Sequence, residues 1–307
     1  MTIAYVSHPD CLKHDMGRHH PECPERLGAI EDQLLASGID GLLVHHEAPL
    51  ASEEQITRVH PLEFFEAIRE SSPESGIVHL DPDTAMCPDT FNAALRAAGA
   101  AVLATDLVVE GKSRTAFCAV RPPGHHAMRE RAMGFCLFNN VAIAASHALE
   151  HHGLSRVALV DFDVHHGNGP EDILAGDDRA LMVSFFQHPF YPYNGTENPA
   201  SNMVNVPVPA YARGMEIREL VETFWIPRLE AHRPELIFIS AGFDAHREDD
   251  MGQLGLTEQD YAWITQRIRA VAQRFGKGRI VSCLEGGYSL SALGRSVEAH
   301  LRVLADL

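Results

Sequence analysis

The stretch DFDVHHGNG, residues 161–169, contains the residue types of a divalent-metal site. Asp161, Asp163 and His165 alternate along it, so an extended backbone turns all three side chains to one face. A carboxylate and an imidazole two residues apart can bind one cation together, which makes Asp163 and His165 the first two candidate ligands. Asp161 and Asn168 remain as polar partners for other groups. The alternative is that this D-x-D-x-H pattern only caps the following helix.

A third candidate ligand lies in SAGFDAH, where Asp244 follows a run of small and apolar residues. An aspartate after a strand is more often the N-cap of a helix than a ligand, so this assignment depends on the other two ligands. Two aspartates and one histidine leave a fourth position open, as in catalytic rather than structural zinc sites. Oxygen ligands also permit Fe(II), Co(II) or Mn(II).

Two histidines and one tyrosine could handle protons beside such a metal. His125 and His126 follow two prolines and a glycine in RPPGHHA, which is a stiff segment. A metal-activated water needs a base, and the leaving group needs an acid. Two histidines with different hydrogen-bond partners could have different pKa values and take different roles. Tyr288 ends the sequence EGGY, whose glycines could aim the phenol inward; a half-buried helical tyrosine is the alternative.

Alternating strands and helices must position these residues. Short apolar runs predict strands at 3–8, 115–120, 156–163, 180–186, 235–244 and 279–287. Amphipathic stretches predict helices at 26–37, about 90–110, 139–152, 257–275 and 289–306. This alternation predicts a parallel sheet with helices on both faces. Because ligands bind at the carboxyl ends of such strands, the polar residues that follow the strands should converge there.

The composition is that of a globular protein. Its 307 residues, of which 45% are hydrophobic, fit one large α/β domain or two small ones. We expect no apolar stretch long enough to span a membrane, and no signal peptide. The six cysteines form no C-x-x-C pair, which is typical of reduced thiols in a cytoplasmic protein. A net charge of −17, from 25 basic and 42 acidic residues, argues against a nucleic-acid surface and mildly favours cationic partners.

Together the motifs resemble the zinc-dependent histone deacetylase superfamily, which includes acetylpolyamine amidohydrolases and acetoin-utilisation proteins. The matching stretches occur in family order: HPECPERL, RPPGHHA, GFCLFNN, DFDVHHGNG, SAGFDAH and EGGY. RPPGHHA and Asn168 are more similar to the class II branch than to class I. The resemblance implies an arginase/deacetylase fold with a central parallel sheet of about eight strands. It also implies a single catalytic domain over 1–307 that hydrolyses an acyl amide at the end of a tunnel.

The resemblance implies a role for each candidate residue. Three residues would hold one zinc ion per chain: Asp163, His165 and Asp244. His126, paired with Asn168, would act as base and acid, and His125, paired with Asp161, would give electrostatic support. Tyr288 would donate a hydrogen bond to the substrate carbonyl and its developing oxyanion.

The resemblance also implies a tunnel and a structural potassium ion. The tunnel would be lined by Gly134, Phe135, Tyr191, Met251 and Gly286. The potassium ion would lie near Asp161, Asp163, His165, Ser184 and Phe185. Met251 falls at the place where polyamine-selective members are expected to have an acidic gatekeeper, which favours lysine-bearing peptides. Asp249 and Asp250, just before it, favour acetylpolyamines instead.

The predicted function is therefore removal of acetyl or another acyl group from lysine side chains of peptides or proteins, with acetylpolyamines as the alternative substrate. An arginase-like dinuclear manganese hydrolase shares the fold, but it would need a second aspartate where His246 stands. A catalytically inactive acyl-lysine-binding scaffold would be expected to have lost Tyr288 or a ligand, and all are present. We expect no nucleic-acid or membrane partner, and leave a homo-oligomer open.

Overall fold

The computed structural model describes residues 3–307, and its central feature is one parallel sheet of eight strands. The sheet strands are β1 Ile3–Ser7, β2 Leu43–Glu47, β5 Thr115–Cys118, β6 Val157–Asp161, β7 Ala180–Gln187, β8 Met203–Val208, β9 Leu236–Ala241 and β10 Ile280–Leu284. A separate antiparallel pair consists of β3 Val78–His79 and β4 Ala85–Met86. The sheet order is β2-β1-β5-β10-β9-β6-β7-β8, and every neighbouring pair is parallel. The predicted parallel sheet of about eight strands is confirmed.

Helices cover this sheet in packed groups. Their bounds are α1 Glu25–Ser37, α2 Glu53–Thr57, α3 Leu62–Glu70, α4 Thr90–Val109, α5 Asn140–Glu150, α6 Asn168–Leu174, α7 Gly214–Leu220, α8 Ile226–His232, α9 Glu258–Phe275 and α10 Leu290–Leu304. Short 3-10 turns lie at Pro9–Leu12 and Ile39–Leu42, and a π-helical turn at Val221–Trp225 joins α7 to α8. Helix α10 packs on α1 and α9, whereas α4 packs on α5 and on β1, β5 and β10.

Burial of the strands explains which of them the sequence predicted. Every residue of β6, β9 and β10 is buried, as expected of parallel strands covered on both faces. Two strands of the eight-stranded sheet were not predicted, β2 and β8, and both are its edge strands. Most of their residues are at least partly exposed, so neither forms the continuous apolar run that marks a buried strand.

Helix α4 corrects one expectation from the sequence. Its 20 residues are long and apolar enough, by length and composition alone, to cross a membrane, so the expectation that no such stretch exists was wrong. In the structure 67% of its most apolar window is buried. Alanines along the buried face allow close packing on α5 and on the central strands. These contacts make it a core helix of the fold.

Candidate active site

The candidate residues follow four neighbouring inner strands, at the carboxyl ends of those strands. β5, β10, β9 and β6 are adjacent and parallel, so the segments that follow them start at the same edge. Asp161 ends β6, Asp244 follows β9, and Tyr288 follows β10. No helix begins near Asp244, and α6 begins without a side-chain cap from the aspartates of the DFD motif. The capping alternatives for these aspartates are therefore wrong.

Asp163, His165 and Asp244 form a buried group in which one ligand atom from each lies within 4.8 Å of the others. His165 Nδ1 is 3.0 Å from Asp163 Oδ1 and 3.2 Å from Asp244 Oδ2. Asp244 Oδ2 is buried and makes no hydrogen bond. His246 points elsewhere, with Nε2 3.5 Å from a Glu258 oxygen, so it does not extend this group to a second metal position.

The electrostatics of this group favour a bound cation. Burial and the nearby charge of Asp163 raise the pKa of Asp244 to about 7. Burial opposes ionisation of Asp163 too, but His125 and His165 outweigh it and hold its pKa far below the usual value. Two buried carboxylates that repel each other, one of which has an oxygen without a hydrogen-bond partner, are suited to a divalent ion.

Glycines allow this close approach. The Gly286 N–H donates to Asp163 Oδ2 at 2.9 Å. A Cβ on Gly286 would lie 2.1 Å from Asp244 Oδ2, and one on Gly242 would lie 2.0 Å from Asp163 Oδ2. Gly286 is thus part of the support behind the ligands. It does not line the substrate cavity, contrary to the expectation from the sequence, because its backbone is turned toward the two carboxylates.

The two histidines of RPPGHHA have different partners. His125 Nδ1 is 3.1 Å from Asp161 Oδ2, and His126 Nδ1 is 2.7 Å from Asn168 Oδ1. Both rings are buried, and their centroids are 4.0 Å apart. The two neighbours therefore face a carboxylate and an amide respectively, as the sequence predicted.

These partners separate the two pKa values. Burial opposes the charge on His125, but Asp163 and Asp161 outweigh it and hold its pKa well above 6.5. Burial and the charge of His125 hold the pKa of His126 well below 6.5. His126 is therefore neutral, its Nδ1–H donates to Asn168, and Nε2 is left free to accept a proton.

A buried glutamate that sequence reasoning missed holds the histidine turn. Glu285 Oε2 accepts the N–H groups of Gly124 at 2.7 Å and His125 at 3.0 Å. Its signal was present in EGGY, where it precedes the two glycines. The same segment therefore supports the metal group through Gly286 and the histidines through Glu285.

Tyr288 stands before α10, not on it, so the helical alternative is wrong. The Arg26 guanidinium lies 4.9 Å from the centre of its ring, and Phe135 packs edge-on at 6.0 Å. Burial raises the pKa of the phenol well above 10, with Arg26 opposing. The hydroxyl therefore stays protonated and available as a donor.

A cavity of about 350 Å³ connects these groups. Its lining residues are Asp83, His126, Gly134, Phe135, His165, Phe190, Tyr191, Tyr193, Asp250, Met251 and Tyr288. Four of the five predicted tunnel residues are among them, Gly286 being the exception. Tyr191 packs edge-on to both His126 and His165, and Phe190 stacks on His165 with ring centres 5.4 Å apart.

Sequence reasoning missed three lining residues: Asp83, Phe190 and Tyr193. Phe190 and Tyr193 flank the predicted Tyr191 in HPFYPYNG, so the aromatic run itself was the signal. Asp250, already considered from the sequence beside the gate residue Met251, also lines the cavity. Asp83 comes from the segment between β3 and β4, and nothing in its surroundings in the sequence distinguishes it.

Two of the predicted potassium residues, Asp161 and Ser184, meet where β6 and β7 pair. Asp161 is opposite Ser184 in the register of the two strands. Ser184 Oγ is buried with no hydrogen-bond partner in the protein. Phe185, the next residue, stacks on Trp225 with ring centres 5.5 Å apart. A buried, unpartnered hydroxyl beside a carboxylate is compatible with a cation there.

A second group of possible metal ligands is committed to other bonds. Nitrogens of His147, His151 and His152 also lie within 4.8 Å of one another. However, Asp106 Oδ1 is 2.7 Å from Nε2 of both His147 and His152, and Arg58 donates to His147 Nδ1 at 2.8 Å. His147 has both nitrogens occupied, so we interpret the group as a polar cluster between α4 and the end of α5.

Comparison with known proteins agrees with this geometry. The family model described as histone deacetylase domain matches residues 20–304. The chain belongs to the histone deacetylase family. The crystal structure of the HDA15 HD domain matches with a TM-score of 0.94 and 31% identity, over 99% of this chain and 88% of that chain. The arginase/deacetylase fold is thereby confirmed, and membership supports an amide-hydrolysing enzyme.

Curated relatives differ widely in length and in name. A probable deacetylase from Archaeoglobus fulgidus is 37% identical over 94% of this chain and 82% of its own length. A human protein named polyamine deacetylase HDAC10 is 36% identical over 97% of this chain. The chain spans 47% of that human relative, and 21% of type-2 histone deacetylase 2 from Dictyostelium discoideum, which is 35% identical over 99% of this chain.

Proposed function

We propose that the protein is a zinc-dependent amidohydrolase that removes acetyl or another acyl group from lysine side chains of peptides or proteins. The observation that supports this most is that His165, a member of the buried Asp–His–Asp group, lines one cavity together with His126 and Tyr288. Asp163, His165 and Asp244 would hold the ion. Once bound, it would polarise an amide carbonyl and lower the pKa of a water molecule toward ~7.

The chain's own residues supply the remaining chemistry. Neutral His126 accepts a proton from the attacking water at Nε2 and returns it to the leaving amine. Charged His125 stabilises negative charge nearby and keeps His126 neutral. The Tyr288 hydroxyl donates to the developing oxyanion, a contact whose loss costs about 3 kcal/mol in comparable sites. Phe135, Phe190 and Tyr191 exclude water from the aliphatic part of the substrate's lysine side chain.

The test is activity against metal content. We expect the zinc-loaded protein to release acetate from an acetyl-lysine peptide. Removing the metal with a chelator should abolish this activity, and adding zinc back should restore it. The Asp244→Ala protein should fold but bind no tight divalent ion. Undiminished metal occupancy in folded Asp244→Ala would show that Asp244 is not a metal ligand. A zinc-loaded wild-type protein with no activity on acyl amides would refute the proposed function.

Acetylpolyamines are the second candidate substrate. Asp83 and Asp250 line the cavity, and neither forms an ion pair among the described residues. A carboxylate at the mouth attracts a second ammonium group, and one relative is named a polyamine deacetylase. Met251, an apolar contact, favours the peptide. The deciding measurement is kcat/KM for acetyl-lysine peptide against N8-acetylspermidine, in wild type and in Met251→Glu; a polyamine preference of about tenfold in wild type overturns the peptide assignment.

The proposal also includes a structural potassium ion and a cytoplasmic location. Unpartnered Ser184 Oγ beside Asp161 supports the ion. The six cysteines are all free in the structure, which is compatible with a reducing compartment. Thermal unfolding in matched potassium and tetramethylammonium chloride tests the ion, since a resident cation raises Tm. Fractionation of the native host tests the location.

A further inference from the structure

Asp249 is a buried carboxylate that accepts three backbone N–H groups. Oδ2 accepts from Tyr288 N at 2.6 Å and from Ser289 N at 2.9 Å. Oδ1 accepts from Met251 N at 3.0 Å. The side chain is 5% exposed and forms no ion pair among residues 3–307. Its charge is therefore satisfied by the backbone of two segments and by nothing else.

Each of these two segments contributes a residue to the cavity of the candidate active site. One follows β9 and contains the ligand Asp244 and the gate residue Met251. The other follows β10 and contains Tyr288, and α10 begins just after it at Leu290. Met251 and Tyr288 both line the cavity. The Asp249 side chain thus links Met251, in the wall proposed to contact the aliphatic part of the substrate, to Tyr288, which is proposed to contact the substrate carbonyl.

Other contacts restrain the ring of Tyr288 and the carbonyl that precedes it. Arg26 lies over the ring face, and Phe135 packs on it edge-on. The residues just before Tyr288 are two glycines, which resist rotation of the backbone least of all residues. Arg26 Nε donates to the Gly287 carbonyl at 2.6 Å, and Asp249 accepts the Tyr288 N–H of the same peptide. The bond to Asp249 is the one that ties this peptide, and with it the direction of the phenol, to the segment that contains Met251.

We propose that Asp249 is a positioning residue for Tyr288, and that it couples Tyr288 to the gate at Met251. The expected effect on turnover rests on the proposed function. The link between the two segments rests only on the hydrogen bonds from their backbone to Asp249. Asp249 touches neither substrate nor metal in this role. It acts by fixing where the Tyr288 hydroxyl points.

The variant that tests this is Asp249→Asn. An asparagine keeps the shape but has one acceptor oxygen, so its NH₂ group faces one of the N–H donors that the carboxylate now accepts. A small misplacement of a catalytic donor is costly, so we expect kcat to fall about tenfold or more. Zinc content should stay at one per chain, and KM should change less than kcat.

A matched control separates positioning from plain stabilisation. Asp260 is also a buried aspartate, in the first turn of α9: its Oδ2 accepts from Thr257 N at 3.0 Å, and Arg218 pairs with Oδ1. Asp260→Asn should lower Tm by a few degrees while kcat stays near wild type. If both variants lose kcat in proportion to their loss of Tm, Asp249 is only a structural cap and the proposal is wrong.

A double-mutant cycle gives the sharper kinetic test. Tyr288→Phe already lacks the hydroxyl. If Asp249 acts only by positioning that hydroxyl, Asp249→Asn should cause no further loss of activity in this background. We expect Asp249→Asn to change the residual kcat of Tyr288→Phe by less than about twofold. A full additional tenfold loss in that background would show that Asp249 acts independently of Tyr288 and would overturn the proposal.

Hydrogen exchange tests the structural part without any activity. In Asp249→Asn, measured metal-free, amides in two separate peptides, 245–256 and 284–292, should lose protection together, and in Asp260→Asn they should not. If wild type proves inactive on acyl amides yet this joint loss occurs, the proposed function fails and the coupling stands. If protection in both peptides is unchanged, the coupling itself fails.

Discussion

Replacing Asn168 by aspartate should move the acidic limb of the pH–rate profile to higher pH. His126 is the proposed base and works when neutral, so activity is lost as pH falls through its pKa. Burial and the charge of His125 hold that pKa well below 6.5. A carboxylate at position 168 would stabilise the imidazolium, raise the pKa, and start the loss at higher pH.

The size of this shift follows from the geometry. Asn168 Oδ1 lies 2.7 Å from His126 Nδ1, so a carboxylate there would make a direct charged contact. Such a partner raises a histidine pKa by about 1–3 units, and each unit corresponds to ~1.4 kcal/mol. His125 is the internal reference: with a carboxylate partner 3.1 Å away and a second one nearby, its pKa is held well above 6.5.

The assay is kcat/KM on one acetyl-lysine peptide between pH 5 and 9 (roughly the range where histidines titrate), with both proteins loaded with zinc. We expect the acidic limb of Asn168→Asp to lie at least about one unit above that of wild type. Zinc content and Tm serve as controls for site and fold. A limb that stays in place, in a folded and metal-loaded variant, would show that His126 is not the group whose protonation limits the rate.

Three further changes have definite expected outcomes. Tyr288→Phe should lower kcat by about 100-fold while zinc stays bound; a rate within a few-fold of wild type would make the phenol structural. His126→Ala should be at least as damaging, measured as kcat on the same peptide, because it removes the proposed base and acid. Gly286→Ala should lose the metal and much stability, since the added Cβ would sit 2.1 Å from Asp244 Oδ2; zinc content and Tm measure this, and a fully loaded, stable variant would contradict it.

Prediction from the sequence succeeded best for residues whose chemical type and place in the fold are both set by one segment of the chain. Asp163 and Asp244 each follow a continuous apolar strand, and parallel strands that are neighbours in a sheet end at one edge. The strand identity therefore fixes the location of the ligand. Edge strands β2 and β8 lack that signal because solvent contact removes the apolar run, and their existence depends on pairing with β1 and β7.

The sequence predicted least where function depends on distant segments meeting. Asp83 reaches the cavity from the β3–β4 segment, and only tertiary packing brings it there: its Oδ1 accepts the Gly134 N–H at 3.0 Å. Gly286 is the reverse case. Its motif was noticed, but the direction its backbone faces, toward Asp163, could be known only once β9 and β10 were placed side by side.

The histidine pair shows why a motif cannot assign its own roles. His125 and His126 are chemically identical and adjacent, and their ring centres are 4.0 Å apart, so a charge on one disfavours a charge on the other. Asp161 and Asp163 decide which ring takes the charge, and Asn168 leaves the other neutral. The difference between base and electrostatic support therefore lies in residues some 40 positions away. For this reason a single substitution at position 168, and not one in the histidine motif, is the change that most directly tests the assignment of the base.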